Sequence, residues 1–379
     1  MTTRVVILGA GFGGLELATR LSDDLASEVD VTLIDKSDSF IFGFSKLAVM
    51  FGKADLDGVR SYYRDIAKPG VEFRQEVIES IDPVARRVVT NGGTYEADIL
   101  VVALGADLDP GATPGLEEGG YEFYSPEGAD RARDVLMQFD GGAAVIGILG
   151  PLFKCPPAPF EAAFMLHTLL TERGVRDATT IQVFSPLPSP IPISPDSSEQ
   201  ILLKCAEYGI EFSPKSMVKS LDPATNTATT ADGRTIPYDL FLAIPVHKAP
   251  EVVVAAGLTV DGWIHVDPAT FATQFPDVYA VGDVTSAPVP RAGVFAEGEA
   301  RTVADVLLER LGGGAPAQPY SGIAACYLEV GDGTVARVDV NFLGGPAPTG
   351  TFTFPTAEIA AEKMQFGASR RQRWFGYAE

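Results

Sequence analysis

RVVILGAGFGGLELATRL, residues 4–21, is the stretch that decides the fold. Arg4 to Leu8 is a β-branched apolar run that leads straight into Gly9-Ala10-Gly11-Phe12-Gly13-Gly14, after which apolar residues recur at helical spacing. Strand, glycine turn and helix in this order form a dinucleotide-binding unit. The glycines let the backbone turn tightly and approach a pyrophosphate, whose charge then rests on helix N-terminal N–H groups. A second strand, VDVTLID, ends at Asp35, 21 residues beyond Gly14, where a carboxylate reaches ribose hydroxyls. Gly9, Gly11, Gly14 and Asp35, with Lys36 beside it, are the first candidate cofactor contacts.

Working outward, 379 residues at 46% hydrophobic content can bury a large core and predict two or three domains. A net charge of −21 argues against nucleic acid, because neutralising phosphates needs a basic face. Thr2 to Gly14 reads as strand and turn rather than as an export signal, and no apolar run has spanning length, so a cytoplasmic location is expected. Three cysteines are too few for a disulfide scaffold, and no Cys/His cluster has metal-ligand spacing, so no metal is expected. His167, His247 and His265 read as surface or core-edge residues.

Two further stretches belong with the first site. DILVVALGA, Asp98 to Ala106, is another buried strand ending in small residues, among them Ala103 and Gly105. FPDVYAVGDVTSAPVPRAGVFAEGEA, residues 275–300, supplies a strand ending at Gly282-Asp283, a loop carrying Arg291, and a helix from about Gly293. These resemble the FAD contacts of flavoproteins with two dinucleotide domains, with Asp283 toward ribityl and pyrophosphate oxygens. The positive end of the Gly293 helix would stabilise an anionic reduced flavin. FAD is therefore expected at the first site in place of NAD.

The design repeats more faintly from about Thr113 to Ala243, with a strand at Ala143 to Leu149, a helix near Phe160 to Arg173 and a strand at Thr180 to Phe184. Here the turn is FKCPPAPFE, Phe153 to Glu161. Pro151, Pro156, Pro157 and Pro159 lack amide hydrogens, so this turn cannot present the row of donors that a pyrophosphate needs. The following strand ends in FSPLPSPIPISP, with neither an acid nor an arginine for a ribose. Nicotinamide binding is not expected.

The turn offers a thiol instead. Cys155 lies just before a helix and next to Lys154, which predicts a lowered thiol pKa. Its other reading is a small hydrophobe in a proline-stiffened loop. Cys326, in SGIAACYLEVGDG 171 residues later, is the second candidate, in a loop running into a strand. Cys205 shares the apolar side of a helix with Ile201 and Leu202 and reads as packing.

Taken together, FKCPPAPFE, PVPRAGVFAEGEA and AACYLEVGDG make the chain resemble, over nearly its whole length, the sulfide:quinone oxidoreductase and flavocytochrome c sulfide dehydrogenase flavoprotein family. The resemblance implies a Cys155–Cys326 disulfide or polysulfide beside the flavin. Hydrosulfide would attack one sulfur, leaving a persulfide and freeing the other thiolate toward the flavin. Glu161, six residues after Cys155, would shuttle a proton; alternatively it is a first-turn carboxylate serving the helix dipole. Quinone, or a cytochrome on another chain, would accept the electrons.

Where the quinone-reducing members carry a third cysteine, this chain has Tyr124 or Ser125. The segment FIFGFSKLAVMFG has no cysteine to link a flavin, so FAD is expected to be non-covalent. The tail joins Arg370, Arg371 and Arg373 to Trp374, Phe375 and Tyr377, resembling the end that rests on membrane in the quinone-reducing members; its other reading is a tail docked on the protein. The expected architecture is α/β. It has a discontinuous FAD domain (1–111 and 244–318), a second Rossmann-like domain (112–243) carrying Cys155, and a C-terminal region (319–379). The competing functions are a sulfide dehydrogenase subunit serving a cytochrome, an NADH:quinone reductase, and a flavin redox sensor without turnover.

Overall fold

The β-branched run at the start of the chain becomes a strand, Thr3–Leu8, whose last four residues are buried. It is the middle of a parallel sheet ordered Val278–Ala280, Ile99–Val102, Thr3–Leu8, Val29–Asp35, Val71–Gln75. Helices cover both faces of such a sheet, which is why its strands read as continuous apolar runs rather than alternating ones. The edge strand Val278–Ala280 comes from far along the chain, after the strands of the second parallel sheet. The computed structural model describes residues 2–25, 28–312 and 315–376.

A second parallel sheet is ordered Tyr121–Glu122, Leu240–Ile244, Gly142–Ile148, Thr179–Phe184, Ile210–Ser213. The fold class is the α/β, twice-Rossmann-like architecture read from the sequence. The repetition goes further than the two sheets. IDPVARRVVT (81–90) and LDPATNTATT (221–230) each build the turn of a three-stranded antiparallel appendage. Arg86 and Asn226 hold the same left-handed turn position, at φ 52° and 49°. Just before each following strand an aspartate accepts a backbone amide, Arg4 N to Asp98 at 2.9 Å and Ala143 N to Asp239 at 2.8 Å.

The last part of the chain is an antiparallel sheet, Ile323–Glu329, Val335–Asn341 and Thr349–Thr356, followed by the helix Ala357–Phe375. Thr356 caps that helix by accepting Ile359 N at 3.2 Å. The tail is therefore regular structure, and its aromatic and basic groups turn inward. Trp374 is fully buried, edge-on to Phe12 and Phe40 at 5.6 and 5.4 Å, and donates from Nε1 to Glu16 at 2.9 Å. Phe375 is buried too. Arg373 pairs with Glu16 at 2.8 Å, Arg370 with Glu297 at 3.1 Å, and Arg301 bridges both carboxylates. Glu16 and Glu297 are buried, and a buried carboxylate persists as an ion only when paired in this way. Arg371 faces the ring of Phe42, and Tyr377 lies outside the described residues. Among the described residues, no helix is long and apolar enough to cross a membrane.

Candidate active site

Gly9 and Gly14 are glycines because the turn closes on itself. Gly9 has φ 99°, and a Cβ on it would sit 2.4 Å from the Ala103 carbonyl oxygen; one on Gly14 would meet the Gly9 oxygen at 1.9 Å. Gly11 differs: nothing lies within 4 Å of its Cβ position, which leaves open space beside the turn. Gly105, at φ 68°, faces similar open space. A Cβ at Gly293 would strike the ring of Phe12 at 2.4 Å, so the helix Gly293–Gly312 starts against the glycine turn only because its first residue has no side chain. Asp35 accepts Ala10 N and Ser37 N, each at 2.8 Å, and so braces the turn as well as ending its strand. Lys36 is exposed.

The Gly282-Asp283 corner, with Gly282 at φ 82°, is held from three sides. Gly282 N donates to the buried Glu299; Arg291 donates to the backbone oxygens of Asp283 (3.0 Å) and Thr285 (3.3 Å) and stacks on Trp263 at 3.8 Å. Arg291 thus acts by shaping the loop. Burial raises the Asp283 carboxyl, while Lys154, Arg291 and Lys46 pull it back. Lys46, from the helix Gly43–Met50, was not singled out in the sequence; burial and the neighbouring Lys154 lower it to about 8. A lone lysine inside FIFGFSKLAVMFG was the available signal. Glu299 was missed as well, and burial raises it to about 8. Small residues where backbone meets ligand, open space at Gly11 and Gly105, a helix N-terminus and a carboxylate at the far corner together fit a flavin dinucleotide.

Cys155 holds a left-handed backbone, φ 52°, which a side-chain-bearing residue adopts at a cost of order 1–3 kcal/mol. Its surroundings impose this. Cys155 N donates to Arg291 O at 2.8 Å, Tyr124 donates from its hydroxyl to Lys154 O at 2.9 Å, and Lys154 N donates to His247 Nε2 at 3.4 Å. His247 is buried and lowered to about 4 by burial and the nearby cations, so it is a neutral ring accepting at Nε2, with Nδ1–H on Pro245 O at 2.8 Å. The histidine read as core-edge is a brace for the cysteine loop, and Tyr124 fastens the same loop.

The lowered thiol pKa is not what the fold produces. Burial, Glu161 and Cys326 push the Cys155 thiol well up, and the Cys326 thiol rises to about 12, with Glu161 and Asp339 adding to burial. Lys154 is not among the groups that favour a Cys155 thiolate, its Nζ donating to Ala106 O at 2.7 Å; Lys363 and Lys46 are cations that do. Cys326 lies within the strand Ile323–Glu329, opposite Val338. All three cysteines are free thiols. Burial raises Cys205 to about 12.

Glu161 joins the two sulfur-bearing elements. It sits in the first turn of the helix Ala158–Glu172, buried, and its Oε1 accepts Glu329 N at 3.0 Å, three residues after Cys326. Lys363 Nζ stands 3.7 Å from the same oxygen and 2.8 Å from Glu329. Burial raises the Glu161 carboxyl, and Lys363 and the Glu329 amide oppose it. The arrangement provides two thiols, a carboxyl able to hold a proton, and a fixed ammonium, next to the loop carrying Asp283 and Arg291.

The pyridine nucleotide-disulphide oxidoreductase family model matches residues 3–302. The sulfide-quinone reductase of Aquifex aeolicus is 29% identical over 339 residues, spanning 80% of this chain and 76% of that protein. The mitochondrial sulfide:quinone oxidoreductase of Mus musculus is 23% identical, over 92% of this chain and 80% of that one. The crystal structure of the sulfide:quinone oxidoreductase of Aquifex aeolicus superposes with a TM-score of 0.89 at 23% identity, covering 98% of this chain and 92% of the other.

Proposed function

The chain belongs to the pyridine nucleotide-disulphide oxidoreductase family and is a FAD-dependent oxidoreductase, and on that premise we propose that it oxidises sulfide at Cys155 and Cys326 and passes the electrons to a quinone. The observation carrying this reading is that Glu161 binds the helix behind Cys155 to the strand of Cys326, in the half of the molecule where prolines replace a nicotinamide-gripping turn. The reading takes 1–111 with 244–318 as the flavin domain, 112–243 as the thiol-bearing domain and 319–379 as the cover.

The working form is the Cys155–Cys326 disulfide. Hydrosulfide attacks one sulfur: a new S–S bond forms, the old one breaks, and its electron pair leaves on the other cysteine as a thiolate. Over a turnover HS⁻ becomes zero-valent sulfur, one proton and two electrons. Bound FAD supplies the two-electron acceptor. A thiolate whose conjugate acid titrates as high as these two is a poor leaving group unless it is protonated as it departs. Glu161 interacts with both sulfurs and burial raises its carboxyl, so it is the acid for that step and the base that later recovers the proton. Lys363 stabilises whichever negative charge is present. FAD is held without a covalent link, because residues 40–52 contain no cysteine.

Anaerobic sulfide tests the proposal: it should bleach the flavin at once, and a soluble quinone analogue, but not cytochrome c, should restore the colour. A flavin that stays oxidised under sulfide and is bleached by NADH would overturn it.

A further inference from the structure

Beyond the proton that Glu161 lends and recovers, each turnover frees the proton of HS⁻ beside this buried acid, and that proton has to reach water. Glu161 has a side chain only 3% exposed, with Cys155, Cys326, Tyr124, Glu329 and Lys363 as the titratable groups facing it. From it runs a line of alternating charges drawn from three separate elements. Lys363, on the C-terminal helix, is 3.7 Å from Glu161 with a side chain 6% exposed. Glu329, on the Cys326 strand, is 2.8 Å from Lys363 and 28% exposed. Lys53, just past the helix Gly43–Met50, is 4.0 Å from Glu329 and 53% exposed. Exposure rises at every step outward. The ring of Phe44, 5.1 Å from the Lys363 ammonium, closes another side of that cation.

We propose that Lys363, Glu329 and Lys53 form the exit route by which protons taken up at Glu161 reach solvent, a role that rests on the sulfide reading of the site. The ammonium of Lys363 bonds to Glu329 and lies 3.7 Å from Glu161, so it passes a proton to Glu329 as it receives one from Glu161. The initial state is neutral Glu161, Lys363 cation and Glu329 anion; the final state is Glu161 anion, Lys363 cation and neutral Glu329. Lys363 is never left neutral in the interior, and net charge is conserved. Glu329 then releases the proton to water beside Lys53. Glu329 has a second function by its backbone, since its N–H holds Glu161 in place; side-chain variants leave that bond available.

The test follows the Glu161 carboxyl directly in the FAD-loaded full chain, without sulfide. Its protonated C=O stretch is assigned by its absence in Glu161→Gln, and the rate at which the band shifts after mixing into D2O reports how fast that proton meets solvent. Glu329→Gln should slow the exchange about tenfold or more, with Glu329→Asp and added formate each restoring it, and Lys53→Met should slow it less. Exchange at the wild-type rate in Glu329→Gln, or a slowing that neither aspartate nor formate relieves, would overturn the route. The two readings fail separately: a protein that sulfide cannot bleach yet shows this pattern loses the substrate and keeps the exit.

Discussion

Glu161 Oε1 accepts the backbone amide of Glu329 at 3.0 Å, so one carboxylate fixes the separation between the helix that follows Cys155 and the strand that holds Cys326. The same side chain is the acid nearest both thiols in electrostatic terms. Position and protonation are thereby coupled in a single group. Glu161→Gln keeps an acceptor for the amide and removes the proton. It should retain FAD and fold normally, while sulfide-driven flavin reduction falls by roughly 10²-fold, read by anaerobic stopped flow.

The pH dependence of that step has a definite sign. A general acid raised by burial works while protonated, so the reduction rate should fall as pH rises through the Glu161 pKa, which lies above the usual carboxylate range. The descending limb should disappear in Glu161→Gln. A profile identical in the two proteins would show that Glu161 does not carry the proton.

Glu299 gives a stability counterpart. Its carboxyl titrates near 8 in the folded chain against about 4.5 when free, so between those pH values the folded state holds a proton that the unfolded state has lost. Stability is therefore fully present below pH 4.5 on this account and declines as pH climbs toward 8. Glu299→Gln should remove that slope, which amounts to up to about 5 kcal/mol between the two ends, measured by denaturant unfolding of the apoprotein.

The glycine turn predicts two different failures. Gly11→Ala meets open space and should leave apoprotein melting unchanged while weakening FAD binding. Gly293→Ala drives a methyl into the Phe12 ring and should cost about 1–3 kcal/mol of folding stability as well as FAD. Thermal melts of apo and loaded protein separate the two.

Docking of the C-terminal helix reaches the glycine turn through Phe12, which Trp374 meets edge-on at 5.6 Å. Trp374→Ala should cost about 3–5 kcal/mol, lower the melting temperature, and raise the FAD lost on gel filtration.

What the sequence made legible was what depends on local backbone chemistry. The turn from Gly9 to Gly14, the strand ending at Asp35, the Gly282-Asp283 corner and the helix from Gly293 are all set by residues adjacent in the chain. Proline at 151, 156, 157 and 159 likewise shows by itself that the second turn lacks an unbroken row of backbone donors. The thiol pKa was misjudged because its determinants are not local. Lys154 is next to Cys155 in the chain but bonds to Ala106, while Glu161, Cys326 and Lys363 arrive through tertiary packing and their net effect, with burial, is upward. His247 and Tyr124 bracing the cysteine loop, and Lys46 facing Asp283, are hidden for the same reason. The run from Arg370 to Phe375 reads alike whether it faces lipid or protein. Only the buried Glu16 and Glu297, more than 70 residues away, decide that it turns inward.

The central claim is that Cys155 and Cys326 react with sulfide as a pair. Oxidised protein mixed with one equivalent of sulfide without air, quenched with an alkylating agent and digested, reports on it by peptide mass. The account predicts one extra sulfur atom on the Cys155 and Cys326 pair, as a persulfide with a newly alkylated partner thiol while the flavin is still oxidised and as a trisulfide joining the two peptides once it is reduced, with an unaltered Cys205 peptide. An unmodified pair in a protein whose flavin has nonetheless been reduced by sulfide would contradict it.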